Sequence, residues 1–326
     1  MTTSRNITSL EPSRMVALAP WLLGAALIAY AWFSGGYLVT VMSFALIYAI
    51  FVAGLNVFMG FAGQVSFGQN AFAAISGYTS AVLTTTYGME PLAGMVIGIL
   101  GALAFALLVG YPTLRLKGHY LAMATLAVGL IVYEVAVHWQ SVTQGYMGIS
   151  GIPPLGIGGY EVTSEKGQLL LLVIVAGIML FAAWRIRNSR LGRAFVAVAG
   201  SEDAARALGI DVAHYKLVSF LISAGYAGLA GSLFVHVVGF VSPEVYGMHM
   251  VVLAFTMLYV GGIGTIVGPL IGAIVISLLP EIFRQFKDYQ DLIYGAVLIL
   301  LLIYAPKGIA SLPSLLMRAR KDAVQP

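Results

Sequence analysis

Two clusters of polar residues interrupt an otherwise apolar chain, and any chemistry it performs must come from them. The first is Asn56, Gln64, Ser66, Gln69 and Asn70, gathered round a break at Gly60, Gly63 and Gly68. These groups hydrogen-bond without carrying charge. They suit a small neutral or zwitterionic solute better than a phosphate or a metal ion. The second cluster is Ser201-Glu202-Asp203-Ala204-Ala205-Arg206-Ala207-Leu208-Gly209. It has the parts of one short helix over 202–208. Ser201 suits the N-cap. Glu202 and Asp203 fall in the first turn, where the helix dipole favours negative charge. Gly209 suits the left-handed residue that ends a helix, with Ile210 packing back. Such a helix on a membrane protein's surface is a docking lever. A second Gly-rich stretch, Gly261, Gly262 and Gly264, makes a tight turn before Pro269.

Several chemistries are missing. There is no Cys, hence no disulfide, thiol nucleophile or thiolate metal site. No GxxxxGK[ST] segment cradles a phosphate. No Gly-x-Ser-x-Gly elbow is present. His119, His138, His214, His236 and His249 form no HExxH, so packed or interfacial histidines are expected and no metal site. Within the apolar runs, Glu134 is the exceptional carboxylate. It lies one turn from His138 and near the end of its run, which reads as a partly solvated pair at an interface. An ion-coupled carrier needs carboxylates nearer the midplane.

The elements that position these clusters are membrane spans. Of 326 residues, 60% are hydrophobic and 9% charged, too few to cover a soluble surface. The expected fold is all-α, a polytopic bundle of about ten helices, since helices satisfy their own backbone in lipid. Expected spans are 15–33, 37–59, 67–85, 91–110, 119–138, 168–184, 215–238, 246–260, 261–283 and 291–304. The first run also has the outline of a signal peptide. Residues 139–167, rich in Gly and Pro, are read as a loop.

With both termini in the cytoplasm, alternation places fourteen Lys and Arg inside: Arg5, Arg14, Arg115, Lys117, Arg185, Arg187, Arg190, Arg193, Arg206, Lys216, Lys307, Arg318, Arg320 and Lys321. Only Lys166, Arg284 and Lys287 fall outside. That asymmetry obeys the positive-inside rule, and one span more or fewer in the early part would spoil it.

Three stretches in chain order carry a family resemblance. The interval after Arg187, with Ala-Leu-Gly-Ile at 207–210 and Tyr215-Lys-Leu-Val-Ser-Phe-Leu-Ile-Ser-Ala-Gly-Tyr-Ala-Gly, resembles the ATPase-docking loop of ABC importer permeases. Gly54-Leu-Asn…Gly63-Gln-Val-Ser-Phe-Gly and Gly261-Gly-Ile-Gly-Thr-Ile-Val-Gly-Pro are similar to segments of the branched-chain amino acid permeases, LivM type. Gln69 stands where that family usually has His, which leaves urea or short amides as an alternative cargo.

The resemblance implies a division of the chain. A cytoplasmic tail at 1–14 precedes a permease domain at 15–305, with a docking loop at 188–214 and an external loop at 139–167. A cytoplasmic basic tail follows at 306–326. It implies a bacterial inner-membrane subunit that pairs with a second, homologous permease, two cytoplasmic ABC ATPases and a periplasmic solute-binding protein. ATP and Mg belong to the ATPases, so this chain is expected to hold no cofactor and to be no enzyme. Membrane lipid is an expected contact and nucleic acid is not. Ser201, Glu202, Asp203, Ala204, Ala205, Arg206, Ala207, Leu208 and Gly209 would meet an ATPase. Asn56, Gln64, Ser66, Gln69, Asn70, Gly261, Gly262 and Gly264 either flank the pathway or its gate, or serve close helix packing. The rival class is an ion-coupled secondary transporter, which has no need of the 202–209 helix.

Overall fold

A computed structural model of the chain describes residues 36–157 and 160–282 continuously, with a few isolated positions beyond. The expected spans at 15–33 and 291–304 and the two tails lie outside the continuously described residues.

Helix α1 (Tyr37–Asn56) continues through a π-turn at Val57–Phe61. After a break, α2 (Gln69–Thr85) is only 17 residues long. Helix α3 (Pro91–Thr113) starts on Pro91, whose missing N–H costs nothing in a first turn. Helix α4 (His119–His138) follows. The 139–164 connection is a one-turn helix at Gln140–Thr143, a 3-10 turn at Gly145–Met147 and short strands β1 (Ile149–Ser150), β2 (Gly156–Ile157) and β3 (Tyr160–Glu161). Strands β2 and β3 pair antiparallel. Next come α5 (Glu165–Arg187), α6 (Arg190–Gly200), α7 (Glu202–Ala207) and α8 (Val212–Val238). Strand β4 (Phe240–Val241) pairs antiparallel with β1, Ile149 opposite Val241. A 3-10 turn at Pro243–Tyr246, helix α9 (Met248–Gly261) and helix α10 (Gly268–Ile282) complete the described chain.

Local caps move several boundaries away from the hydropathy reading. Ser164 accepts from Gly167 N–H, so α5 opens at Glu165 rather than 168. Asp211 accepts from His214 N–H, so α8 opens at Val212 rather than 215. Helix α9 starts at Met248 and α10 at Gly268, with 262–267 forming the turn between them. The charged interval holds two helices where one was expected. Helix α6 is amphipathic and buries Ala194, Phe195 and Val198.

Helices α1 and α8 form the centre. Helix α8 packs on α1, α2 and α3, while α1 also meets α5 and α10. One face of α3 carries Gly94, Gly98, Ala102, Ala106 and Gly110 at four-residue spacing, all buried. Small residues on one stripe let backbones approach closely. The opposite face exposes Leu100, Leu107 and Leu108, as α5 exposes Ile174, Ile178 and Phe181. Six described helices are long and apolar enough to cross a membrane. Apolar rings facing outward over that length require lipid as solvent.

Buried polar side chains stitch the helices together. Ser76 and Ser232 Oγ lie 2.6 Å apart. Ser80 Oγ and His236 Nε2 lie 2.7 Å apart, and His236 Nδ1 donates to Pro153 O at 2.8 Å. Ser223 donates to Gly54 O at 2.6 Å and Tyr226 to Met179 O at 2.8 Å. The Glu134–His138 pair is exposed on both sides and sits at (i, i+4), as the solvated reading expected.

Candidate functional site

One end of the bundle gathers the break after α1, helices α6 and α7, and the 262–267 turn. Gly63 lies so close to Ala199 that a Cβ would meet that residue's Cβ at 2.8 Å. Asn56 Nδ2 donates to Thr265 O at 2.7 Å, and Gly264 N–H donates to Asn56 Oδ1 at 2.8 Å. Arg115 and Lys117 border the same end, in a groove of about 550 Å³ that also holds Glu202, Arg206, Asp211, His214 and Lys216. The opposite end carries the β1–β4 pairing and Lys166, whose amine stands 5.9 Å from the Trp32 ring. Among described residues, Arg115, Lys117, Arg185, Arg187, Arg190, Arg193, Arg206 and Lys216 all belong to the first end and only Lys166 to the other.

Helix α7 is short, and a free helix of six residues would not hold together in water. Both of its ends are tied. Ser201 Oγ accepts from Ala204 N–H. Gly209, at φ +80°, closes a Schellman turn: its N–H donates to Arg206 O, and Ile210 N–H donates to Ala205 O at 3.0 Å. Ala205 is the buried anchor, packed with Val198, Val212 and Ile210. Ser201, Asp203, Ala204, Arg206, Ala207, Leu208 and Gly209 are exposed. Leu208 is 80% exposed and presents an apolar knob beyond the helix end. Asp203 is 84% exposed and holds Arg206 at 2.8 Å.

Glu202 differs from its neighbours. Its side chain turns inward, 19% exposed, and pairs with the Lys216 amine. The sequence marks Lys216 only as a flanking positive charge; its side chain is 3% exposed inside the base of α8. A lone lysine one turn into an apolar helix is the sequence signal for it.

The polar cluster near the break divides by geometry. Asn56, Gly60 and Gly264 form a staple between α1 and the turn. A Cβ at Gly60 would overlap Asn56 Oδ1, so the glycine makes room for the amide. Gly261 and Gly268 are equally close across the turn. Gln64 reaches Glu202 Oε1 at 3.4 Å. Ser66, Gln69 and Asn70 lie deeper. Phe67 N–H donates to Thr125 Oγ1 at 3.0 Å, and Thr125 is six residues into α4, about 9 Å above that helix's start. Helix α2 therefore begins inside the bundle. Asn70 Nδ2 donates to Tyr246 O at 2.8 Å, two residues before α9 begins. Two helix N-termini thus converge at depth, and neither Tyr246 nor this convergence was legible in the sequence. Gln69 is buried with neither amide atom hydrogen-bonded, and Asn70 Oδ1 is also unpaired. Ser66, Gln69 and Asn70 line a cavity of about 10 Å³ with Phe51, Leu55 and Val251. That is room for about one water. The Phe67 and Phe255 rings stack beside it at 4.4 Å.

Repeated apolar crossings, interior helix breaks and a capped surface helix at the basic end define a multi-pass membrane transport protein. The chain belongs to the branched-chain amino acid transport system permease family, whose model matches residues 37–302. It is 34% identical over 320 residues to the high-affinity branched-chain amino acid transport system permease protein LivM of Salmonella typhimurium, covering 89% of this chain and 74% of that one. Against LivM of Escherichia coli K12 the identity is 34% over 294 residues, covering 83% and 69%. The permease protein LivH of Salmonella typhimurium is 26% identical over 287 residues, covering 82% and 92%.

Proposed function

We propose that this chain is one of two homologous permease subunits of an ATP-binding cassette importer, and that it forms half of a pathway for branched-chain or other hydrophobic amino acids. In this reading two ATPases bind the basic end from the cytoplasm, and a periplasmic binding protein delivers cargo at the β1–β4 end. The bundle has about ten spans with both termini inside, in a bacterial inner membrane. ATP and Mg act in the ATPases. The observation that carries the reading is α7: a doubly capped helix, anchored by Ala205, offering Leu208 and Asp203 to a partner on the end where eight of nine described cations gather. The charge asymmetry supports cytoplasmic placement of that end.

The test is reconstitution in liposomes with candidate ATPases, a second permease and a loaded binding protein. Leu208→Asp puts a charge where an apolar groove is expected. It should leave the bundle folded and cut ATPase association and cargo-stimulated hydrolysis at least about tenfold, the loss of one interface hot spot. Uptake driven by an ion gradient without ATPases would instead establish the secondary-carrier reading.

Gln69 marks the pathway in the same proposal. A buried amide with no partner destabilises the fold, so its retention there suits a transient hydrogen bond to cargo or water. Gln69→Leu is expected to stabilise the protein by about 1–2 kcal/mol in a thermal melt. Uptake in the assembled complex should fall several-fold. Greater stability with unchanged uptake would mark Gln69 as packing alone.

A further inference from the structure

The Glu202 carboxylate is a node of three elements. Oε1 meets the Lys216 amine at the base of α8 and Gln64 Nε2 at 3.4 Å in the break after α1. Oε2 meets Arg206 Nη2 at 3.5 Å on α7 itself. Gln64 and Lys216 are buried, and Glu202 is the carboxylate that the structure gives the Lys216 ammonium. The pair lines the groove that also holds Asp211, yet Lys216 is only 3% exposed, so an ammonium left there without its counter-charge is unfavourable and the pair opens at a cost. The rest of α7 has little to hold it. It touches the bundle through Ala205, and its outer side borders the open groove lined by Arg115 and His214. The elements on the far side of the pair are not peripheral. Helix α8 is a central helix of the bundle, and Gln64 opens the segment that leads to Ser66, Gln69 and the buried start of α2.

We propose that the Glu202–Lys216 pair, with Gln64, is an internal latch that makes α7, the base of α8 and the 62–68 segment move as one body. Glu202 and Lys216 are positioning residues. Their contacts with one another and with Gln64 lie within the chain and transmit the displacement of α7 to the break where the pathway begins. The division of labour on α7 follows. Asp203 and Leu208 face outward to the partner, while Glu202 faces inward. This proposal rests on the importer reading above.

Two measurements on the assembled complex in liposomes test it. The first compares uptake per ATP hydrolysed in the unmodified chain, in Lys216→Met and in the exchanged pair Glu202→Lys with Lys216→Glu. Lys216→Met should keep ATPase association and cargo-stimulated hydrolysis, with uptake per ATP reduced about tenfold, the scale of residue-level coupling effects. The exchanged pair should recover most of that loss. Uptake and hydrolysis falling together, or an unchanged ratio, overturns the latch. The second leaves the pair intact, so it stands even where Lys216→Met fails to assemble. The chain has no cysteine, which lets Val65→Cys and Ala204→Cys carry spin labels without background. Both positions are exposed. Their separation should stay constant within about 3 Å between the nucleotide-free and ATP-bound states, while α7 moves relative to α5. A change beyond about 5 Å, one helical turn, means that α7 moves alone and the latch is wrong. An unmodified chain that recruits no ATPase removes the importer reading and this proposal with it, an outcome distinct from an active complex that lacks the latch.

Discussion

Gly231→Val is expected to remove most of the folded protein. At the crossing of α8 with α2, a Cβ on residue 231 would overlap the carbonyl oxygen of Ala73. That neighbour is backbone, so it cannot rotate aside. The same crossing carries Ser76–Ser232 at 2.6 Å, Ser80–His236 at 2.7 Å and the Tyr246 hydroxyl donating to Gly231 O at 3.1 Å. Driving α2 and α8 apart lengthens the Ser76–Ser232 and Ser80–His236 bonds together, the tyrosine bond running from the 243–246 turn to α8 instead. Overpacking of this kind costs about 1–3 kcal/mol, and each lost interhelical hydrogen bond adds roughly 0.6 kcal/mol. The sum is on the order of 2–4 kcal/mol, a large fraction of the margin of a marginally stable protein. Monodisperse protein recovered in detergent should drop several-fold. Two other helical glycines serve as controls. A Cβ at Gly177 meets nothing within 4 Å, and one at Gly225 meets only Leu103 at 3.7 Å. Gly177→Ala and Gly225→Ala should melt at or slightly above the parent, since alanine favours helix by about 1 kcal/mol. A Gly231→Val protein as abundant and as stable as these controls would mean that α2 and α8 do not approach this closely.

How far the sequence foretells such detail depends on the kind of interaction. Hydropathy alone locates α1 to α5 and α8 to α10, because a run of apolar residues has one solution in lipid. Their ends move by up to several residues because capping residues set them. Ser164 and Asp211 are ordinary polar residues until the amide each one accepts is seen. Helix α6 went unread because its apolar side, Ala194, Phe195 and Val198, is brief and set among arginines. It becomes a buried face only when Phe195 meets Tyr215 and Phe61. Helix α7 was legible almost to the residue, since its signals are local: Ser201 at one end, Gly209 at the other. Its inward-facing carboxylate was not. Counting charges along a line places Glu202 and Lys216 equally in water. Only the fold brings them together, fourteen residues apart, beneath α7. Gln69 falls between these cases. Its polar type in an apolar setting marked it, but the lack of any partner for its amide is a fact of three dimensions.

Asn56 shows the same limit and yields the other large effect. By type it belongs with Gln64 and Gln69 as a polar group near the break. In the structure both of its amide atoms are used, Nδ2 on Thr265 O and Oδ1 on Gly264 N–H, with the side chain buried. It therefore closes the 262–267 turn onto the end of α1, as a backbone strand would. Gly264 adopts φ +77°, where a side chain would be strained, and Gly60 leaves the space that the amide occupies. Asn56→Ala strands the N–H of Gly264 and the carbonyl of Thr265, both part-buried, each costing toward the low end of about 1–3 kcal/mol. The expected loss is about 2–3 kcal/mol, seen as a melting midpoint lower by roughly 4–8 °C. Asn56→Asp restores one acceptor but sets a carboxylate against the Thr265 carbonyl, so it should recover little. Asn70→Ala offers the contrast within the same cluster. Asn70 uses only Nδ2, its Oδ1 being already unpaired, so its removal strands a single carbonyl and should cost less. Uptake should fall in step with stability for Asn56→Ala, since the turn it fixes joins α9 to α10 beside the break. An Asn56→Ala protein that melts with the parent would show that the turn is held by other contacts. A cost at Asn70 equal to that at Asn56 would show that one hydrogen bond, not two, sets the scale at both positions.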